Sequence, residues 1–381
     1  MTILISGGEL YTPETVYRPG AVLLEGRIIR AVGPAGSFAV PAGTQTIDAR
    51  GGPIIPGLVD VHLHGFGGQY VGGPGLADVI RGLPRHGTTS FLPTTITAPL
   101  EELCAALSAI AAVLDRSPVG AQALGIHMEG PWISPQRSGG MRPELCLPIR
   151  RSDMERCLRA AGQHVRMITL APEQGEAMQV IPWLVEQGII ASIGHSDADY
   201  DTATRAVAVG VSHATHTFNA MRPFLQREPG TVGAVLDHAA VVAELIGDGY
   251  HVHPAAMRIL IRSKGLERVC LVSDAMFPTG MPDGEYAWDG RVLVHAGWTC
   301  RFPNGAPAGS AMLLNQMLRV AVEQTGLTLG EAVRMASTVP AQALGVRKGQ
   351  LRPGYDADVV VLKPDYEPLL TVIGGQVVYR E

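Results

Sequence analysis

Eight apolar runs of strand length recur between residues 58 and 276, and most are followed by a stretch with helical spacing of its apolar side chains. The runs are LVDVHLHG (58–65), TSFLPTT (89–95), LGIHMEGP (124–131), VRMITLAPE (165–173), IIASIGHS (189–196), HATHTFNA (213–220), VVAELIGDG (241–249) and RVCLVSDAM (268–276). Between them lie LEELCAALSAIAAVLD, SDMERCLRAAG, EAMQVIPWLVEQG, DADYDTATRAVAVG and HPAAMRILIRSKG. Eight β-then-α units in succession predict an α/β fold, a (β/α)8 barrel. Residues 280–308 break the rhythm and read as a hairpin-like insertion after the eighth strand. Two closing helices are expected within 311–326 and 328–345.

The two ends have another texture. TILISGGEL, GAVLLEGRIIRAVG and TQTIDARGGPIIPG are short strand candidates with Gly and Pro between them, and ADVVVLKPDYEPLLTVIGGQVVYR returns to that pattern at the end. Both ends are expected to pair into one small β-sandwich, since chain termini often lie close together. The division predicted is 1–56 and 347–381 for the β-domain and 57–346 for the barrel.

Composition removes several functions. The net charge is −5 and no Lys/Arg run occurs, which argues against a nucleic-acid or anionic-membrane surface. Five cysteines, odd in number and never in a CxxC pair, fit a reducing compartment better than a disulfide framework. No run is long enough to cross a bilayer and no secretory pattern opens the chain. The expectation is a soluble cytoplasmic protein with a small-molecule substrate.

The polar residues at the strand ends carry the chemistry. Asp60, His62 and His64 alternate in one apolar run, so they share a strand face, with about 6.6 Å between i and i+2. Strand three ends with His127 and Glu129, strand five with His195, strand six with His216, strand seven with Asp248 and strand eight with Asp274. Barrel active sites form at that face from the ends of several strands. His62, His64, Glu129, His195 and His216 are therefore candidate ligands of a divalent cation. Imidazole with carboxylate suits zinc, and also iron, manganese or cobalt. Such an ion lowers the pKa of bound water from 15.7 to about 7, and Asp274 is placed to move the protons. The alternation is read as turning His127 opposite to Glu129, behind the barrel wall. His86, His164, His238 and His295 are read as surface or packing residues. Each ligand has a plainer reading if taken alone: a structural histidine pair, a Glu129 that caps a loop or pairs with an arginine, an Asp274 that caps a helix.

The opener PGLVDVHLHG and the late RKGQLRPGYDADVVVL resemble the amidohydrolase superfamily. HMEGPWISP, IGHSDAD, HATHTFNAMRPFLQREPGTVG, GDGYHVHP, LVSDAM and PAGSAM, in that order along the barrel, are similar to the N-acetylglucosamine-6-phosphate deacetylase family. The resemblance implies release of acetate from an N-acetylated amino sugar phosphate, by a hydroxide on the metal. It implies Glu129, His195 and His216 as metal ligands and Asp274 as general base, then acid. Asn219, the backbone at Ala220, Arg227 and His251 would hold the sugar phosphate, with Gly140, Met141 and Ala308 also at the substrate. The phosphate-binding arginine can come from a neighbouring subunit, which implies a homodimer.

Two features vary from the family pattern. His62 and His64 make a second ion plausible, with Glu129 bridging. Met141 stands where relatives carry a polar residue, often histidine, and methionine cannot donate a hydrogen bond. Either a second ion polarises the substrate carbonyl, or Arg142 reaches in, or the substrate differs. N-acetylgalactosamine 6-phosphate or another N-acyl compound is the alternative substrate. A non-catalytic barrel that binds sugar phosphate is the alternative of another class.

Overall fold

The computed structural model describes residues 2–381. The eight apolar runs form parallel strands β1 (Leu58–Leu63), β2 (Thr88–Thr95), β3 (Ile126–Glu129), β4 (Val165–Leu170), β5 (Ile190–Ile193), β6 (His213–Ala214), β7 (Val242–Ile246) and β8 (Val269–Val272). Each pairs in parallel with the next, from β1 through to β8. The seam between β8 and β1 is closed just beyond the strand ends. Asp274 N donates to the carbonyl of His62 at 2.9 Å, and His64 N to that of Ala275 at 3.0 Å. Deeper in the seam, Asp60 Oδ1 accepts from the amides of His62 and Ser273, both at 3.2 Å. Asp60 thus staples the barrel shut rather than joining the histidines that follow it.

Helices cover the outside: α1 (Leu76–Gly82), α2 (Leu100–Arg116), α3 (Arg151–Ala160), α4 (Ala177–Glu186), α5 (Tyr200–Ala208), α6 (Gly230–Asp237), α7 (Pro254–Lys264) and α8 (Leu314–Thr325). Helix α2 shows why. Leu103, Leu107, Ile110 and Ala111 recur at i, i+4, i+7 and i+8 and are buried against the strands, with glutamates in the exposed first turn. In α5 the Asp199 side chain accepts from Thr202 N at 2.8 Å and satisfies an otherwise unpaired amide of the first turn. The second closing helix runs 329–343 with one wider turn over Arg334–Thr338.

Two expectations are corrected. The insertion is larger than a hairpin: Gly284–Trp288, Arg291–Ala296, Thr299–Arg301 and Pro307–Ser310 make a four-stranded antiparallel sheet. Leu293 and Cys300 from this sheet pack with Met276 in a small core of their own. His127 does not pack behind the wall. Residues two apart in a strand face the same way, so His127 points inward with Glu129. It bonds the Val61 carbonyl at 3.0 Å and Thr169 Oγ1 at 2.7 Å across the barrel interior.

Both chain ends share one mixed sheet. Thr2–Tyr11 pairs antiparallel with Val16–Glu25 and parallel with Gln45–Asp48 and Pro53–Pro56, and Val359–Leu362 joins antiparallel to Pro53–Pro56. Ile3, Ile5, Val22, Ile54, Val359 and Val361 belong to a core separate from the barrel's. Where the chain re-enters this sheet, Lys348 Nζ is buried between Asp358 (2.6 Å) and Asp356 (2.9 Å). Replacing Lys348 by Met keeps the stem and strands the Asp358 charge. Urea unfolding is expected to show a loss of about 3–5 kcal/mol, the cost of breaking a buried pair from one side.

Candidate active site

Strands β5, β6 and β8 stop short of the histidines and aspartate that follow them, and the backbone explains why. His195, His216 and Asp274 have φ of 47°, 30° and 47°. Left-handed backbone cannot continue a strand, and it costs roughly 1–3 kcal/mol per non-glycine residue, strain that clusters at functional sites. At each place the chain leaves the sheet and turns its side chain over the barrel mouth. After β6 the chain stays irregular, with Phe218 and Ala220 left-handed as well.

The outer nitrogens of the imidazoles settle which way their lone pairs point. His64 Nδ1 lies 3.1 Å from the Thr94 carbonyl oxygen, and His195 Nδ1 2.8 Å from that of Arg137. A carbonyl only accepts, so each Nδ1 carries the hydrogen. His62 Nδ1 donates in the same way to Glu244 Oε2 at 3.0 Å. Rings held like this turn their Nε2 atoms inward, where each can offer a lone pair to a cation.

Those atoms meet. His195 Nε2 and His216 Nε2 are 3.0 Å apart and lie 3.1 and 2.9 Å from Glu129 Oε1. Beside them, His62 Nε2 and His64 Nε2 are 3.2 Å apart and 3.4 and 3.2 Å from Asp274 Oδ1. Glu129 faces both groups, with Oε2 3.2 Å from His64. Glu129, His195 and His216 form one set of donors that could hold an ion, and His62, His64 and Asp274 a second. Lone pairs and carboxylates packed so closely repel unless positive charge sits among them. Burial pushes the His64 imidazole down, yet the Asp274 and Glu129 carboxylates outweigh it and leave it raised to about 9. Burial likewise opposes charge on Glu129, but His62, His195 and His216 hold it well below the usual carboxylate range. The bare site would gather protons; a divalent cation supplies the same charge. The donors fit such an ion: tetrahedral zinc sites use histidine nitrogen and carboxylate oxygen.

A cleft of about 310 Å³ opens over the two sets, lined by His64, Glu129, His195, His216 and Asp274 at its floor. The amidohydrolase family pattern matches residues 54–378 of this chain. A Bacillus subtilis N-acetylglucosamine-6-phosphate deacetylase is 37% identical over 337 residues, covering 86% of this chain and 84% of the relative. An N-acetylgalactosamine-6-phosphate deacetylase of Escherichia coli O157:H7 is 36% identical over 368 residues, 95% of each chain. The crystal structure of N-acetyl-D-glucosamine-6-phosphate deacetylase from Mycobacterium smegmatis superposes with a TM-score of 0.92 at 34% identity, over 99% of this chain and 100% of that one. The chain belongs to the amidohydrolase family.

In this amidohydrolase the cleft gathers most of the residues singled out for substrate: Gly140, Met141, Asn219, Ala220, His251 and Ala308 all line it. Arg227 does not. It is exposed on the 221–229 loop, between the exposed Leu225 and Glu228. Arg142 turns away as well and donates to Glu144 at 3.0 Å, so it does not stand in for the polar residue that Met141 replaces. Sequence reasoning passed over Trp288, which the insertion sheet brings to the cleft wall, and Glu244, which is buried behind His62. Nothing local marks Trp288. Glu244 did leave a signal, as the one charge within VVAELIG.

Metal removal checks the electrostatic reading. Anything that binds only the folded state stabilises it by RT ln(1 + [L]/Kd), about 2.7 kcal/mol at a hundredfold excess over Kd. Protein stripped with a chelator should unfold at lower urea and recover on adding Zn²⁺. Glu129→Gln should show a much smaller recovery.

Proposed function

We propose that this protein hydrolyses the acetamide of N-acetylglucosamine 6-phosphate to glucosamine 6-phosphate and acetate. The observation that carries the reading is the pair of donor sets sharing Glu129 at the floor of the cleft. Glu129, His195 and His216 would hold one ion, and His62 and His64 a second. A divalent ion bound there supplies a water of lowered pKa and charge for the developing oxyanion. Asp274 lines the cleft, with burial opposing its ionisation and the neighbouring His62 and His64 outweighing it, so its carboxyl stays below the usual range. It is ionised at neutral pH and can take the proton of the attacking water. It then hands that proton to the amine, which leaves poorly without it.

His251, Asn219 and the Ala220 amide, which line the same cleft, would hold the phosphate. His251 Nδ1 donates to Asp248 at 2.6 Å, and that carboxylate outweighs burial in raising its pKa and favouring the cationic ring. Gly140, Met141 and Ala308 would border the sugar or its acetyl group. The exposure of Arg227, with Phe224 and Leu225 also exposed beside it, supports its reaching the cleft of a second copy in a homodimer. Histidine and carboxylate donors favour zinc over harder ions. Five unpaired cysteines suit a reducing cytoplasm. No helix among the described residues is long and apolar enough to cross a membrane. The separate cores support a division into a β-domain of 1–56 and 347–381 and a barrel of 57–346.

A second reading, N-acetylgalactosamine 6-phosphate as substrate, is favoured by the relative of that name matched over 95% of the chain. The two sugars differ only in configuration at C4. Amine-release rates on both compounds, and on their dephosphorylated forms, separate the readings. The gluco phosphate should be fastest, and a preference for unphosphorylated sugars would remove the roles given to His251 and Arg227.

Asp274→Asn should keep the ion held by Glu129, His195 and His216 and lose about 10²–10⁴ of kcat, the usual worth of a positioned proton carrier. A variant with near-normal turnover would take Asp274 out of the chemistry.

A further inference from the structure

The best-connected carboxylate behind the cleft has no part in the proposed chemistry. Glu244 sits in the middle of β7, fully buried beneath both donor sets. Its Oε1 accepts from His213 Nε2 at 3.2 Å. Its Oε2 accepts twice: from His62 Nδ1 at 3.0 Å and from the backbone amide of His216 at 3.0 Å. Its own carbonyl accepts from Thr217 N at 2.9 Å. One oxygen therefore touches a residue of each donor set, one through the ring and one through the main chain.

Each contact has a separate consequence. The bond to His62 keeps the hydrogen on Nδ1 and leaves Nε2 bare toward His64 and Asp274. The bond to His216 N fixes a residue whose backbone is left-handed, φ 30°, and would otherwise relax toward the strand. A shorter group would not reach both donors, and a neutral amide oxygen would meet them as a weaker acceptor than a carboxylate.

We propose that Glu244 is a positioning residue that couples the two metal subsites, holding the His62 ring and the His216 backbone against the same oxygen. The inference rests on the donor sets being a metal centre, and not on which amino sugar is the substrate. As the two subsites share a clamp, loosening it weakens both ions together.

The test is Zn²⁺ titration of wild type and Glu244→Gln against a chromophoric chelator, with unfolding of the metal-free forms measured alongside. Outer hydrogen-bond partners of metal ligands are worth about 10–100-fold in affinity. Glu244→Gln should lose that much at both subsites, with kcat falling and KM for the amino sugar phosphate little changed. A merely structural role would lower the unfolding temperature of the metal-free protein and leave both Zn²⁺ affinities at wild-type values; that result overturns the proposal. So does a loss confined to one subsite, or a wild type that takes up a single ion. A wild type that takes up none overturns the metal centre itself. If Glu244→Gln does not fold, Glu244→Asp keeps the charge but draws it back by a methylene, and the same two outcomes apply.

Discussion

A carboxylate buried among imidazole lone pairs cannot stay there uncompensated. Glu129 is 1% exposed, with four histidine Nε2 atoms turned toward it and Asp274 close behind. Desolvation and repulsion together would disperse such a group in the absence of cations. The surrounding fold is arranged to hold it together. Three strands end early, three of the donor residues adopt left-handed backbone, and two carbonyls and one further carboxylate fix the rings of His64, His195 and His62 from behind. These costs make sense around an ion and are hard to account for around an ordinary polar core.

The barrel supplies the rigidity. Its strands bring residues 62, 129, 195, 216 and 274 together although more than two hundred positions separate the first from the last. The seam matters most, because β1 and β8 carry the second donor set on either side of it. Asp60 and the Asp274–His62 backbone bond hold that seam at the level of the ligands. The insertion sheet adds a wall from above. Arg291 donates to the Gly140 carbonyl at 3.0 Å and lies over the ring of Trp288, which ties the sheet to the loop carrying Met141.

The barrel and its eight strands were legible because each strand is a short apolar run between turn signals, and burial on both faces leaves little else for such runs to do. The donor residues were legible because polar groups at the ends of those runs stand out against them. His127 was misread through a slip in parity: residues two apart share a face, and its partners Val61 and Thr169 come from other strands. Arg227 was named from resemblance, and its exposure is a tertiary fact that no local pattern carries. Trp288 lay in a stretch whose pairing depends on four strands meeting around Cys300 and Leu293. The supporting roles of Thr94 and Arg137 come from backbone carbonyls, which side-chain patterns cannot reveal.

The central claim is that Glu129, His195 and His216 close on one cation, with His62 and His64 closing on a second. Anomalous diffraction at the zinc edge from crystals of the zinc-loaded protein tests it most directly. The account predicts one peak at about 2.0–2.2 Å from Glu129 and from His195 and His216 Nε2, and a neighbouring peak on His62 and His64. No peak at Glu129, or an ion bound elsewhere with these side chains apart, would contradict it.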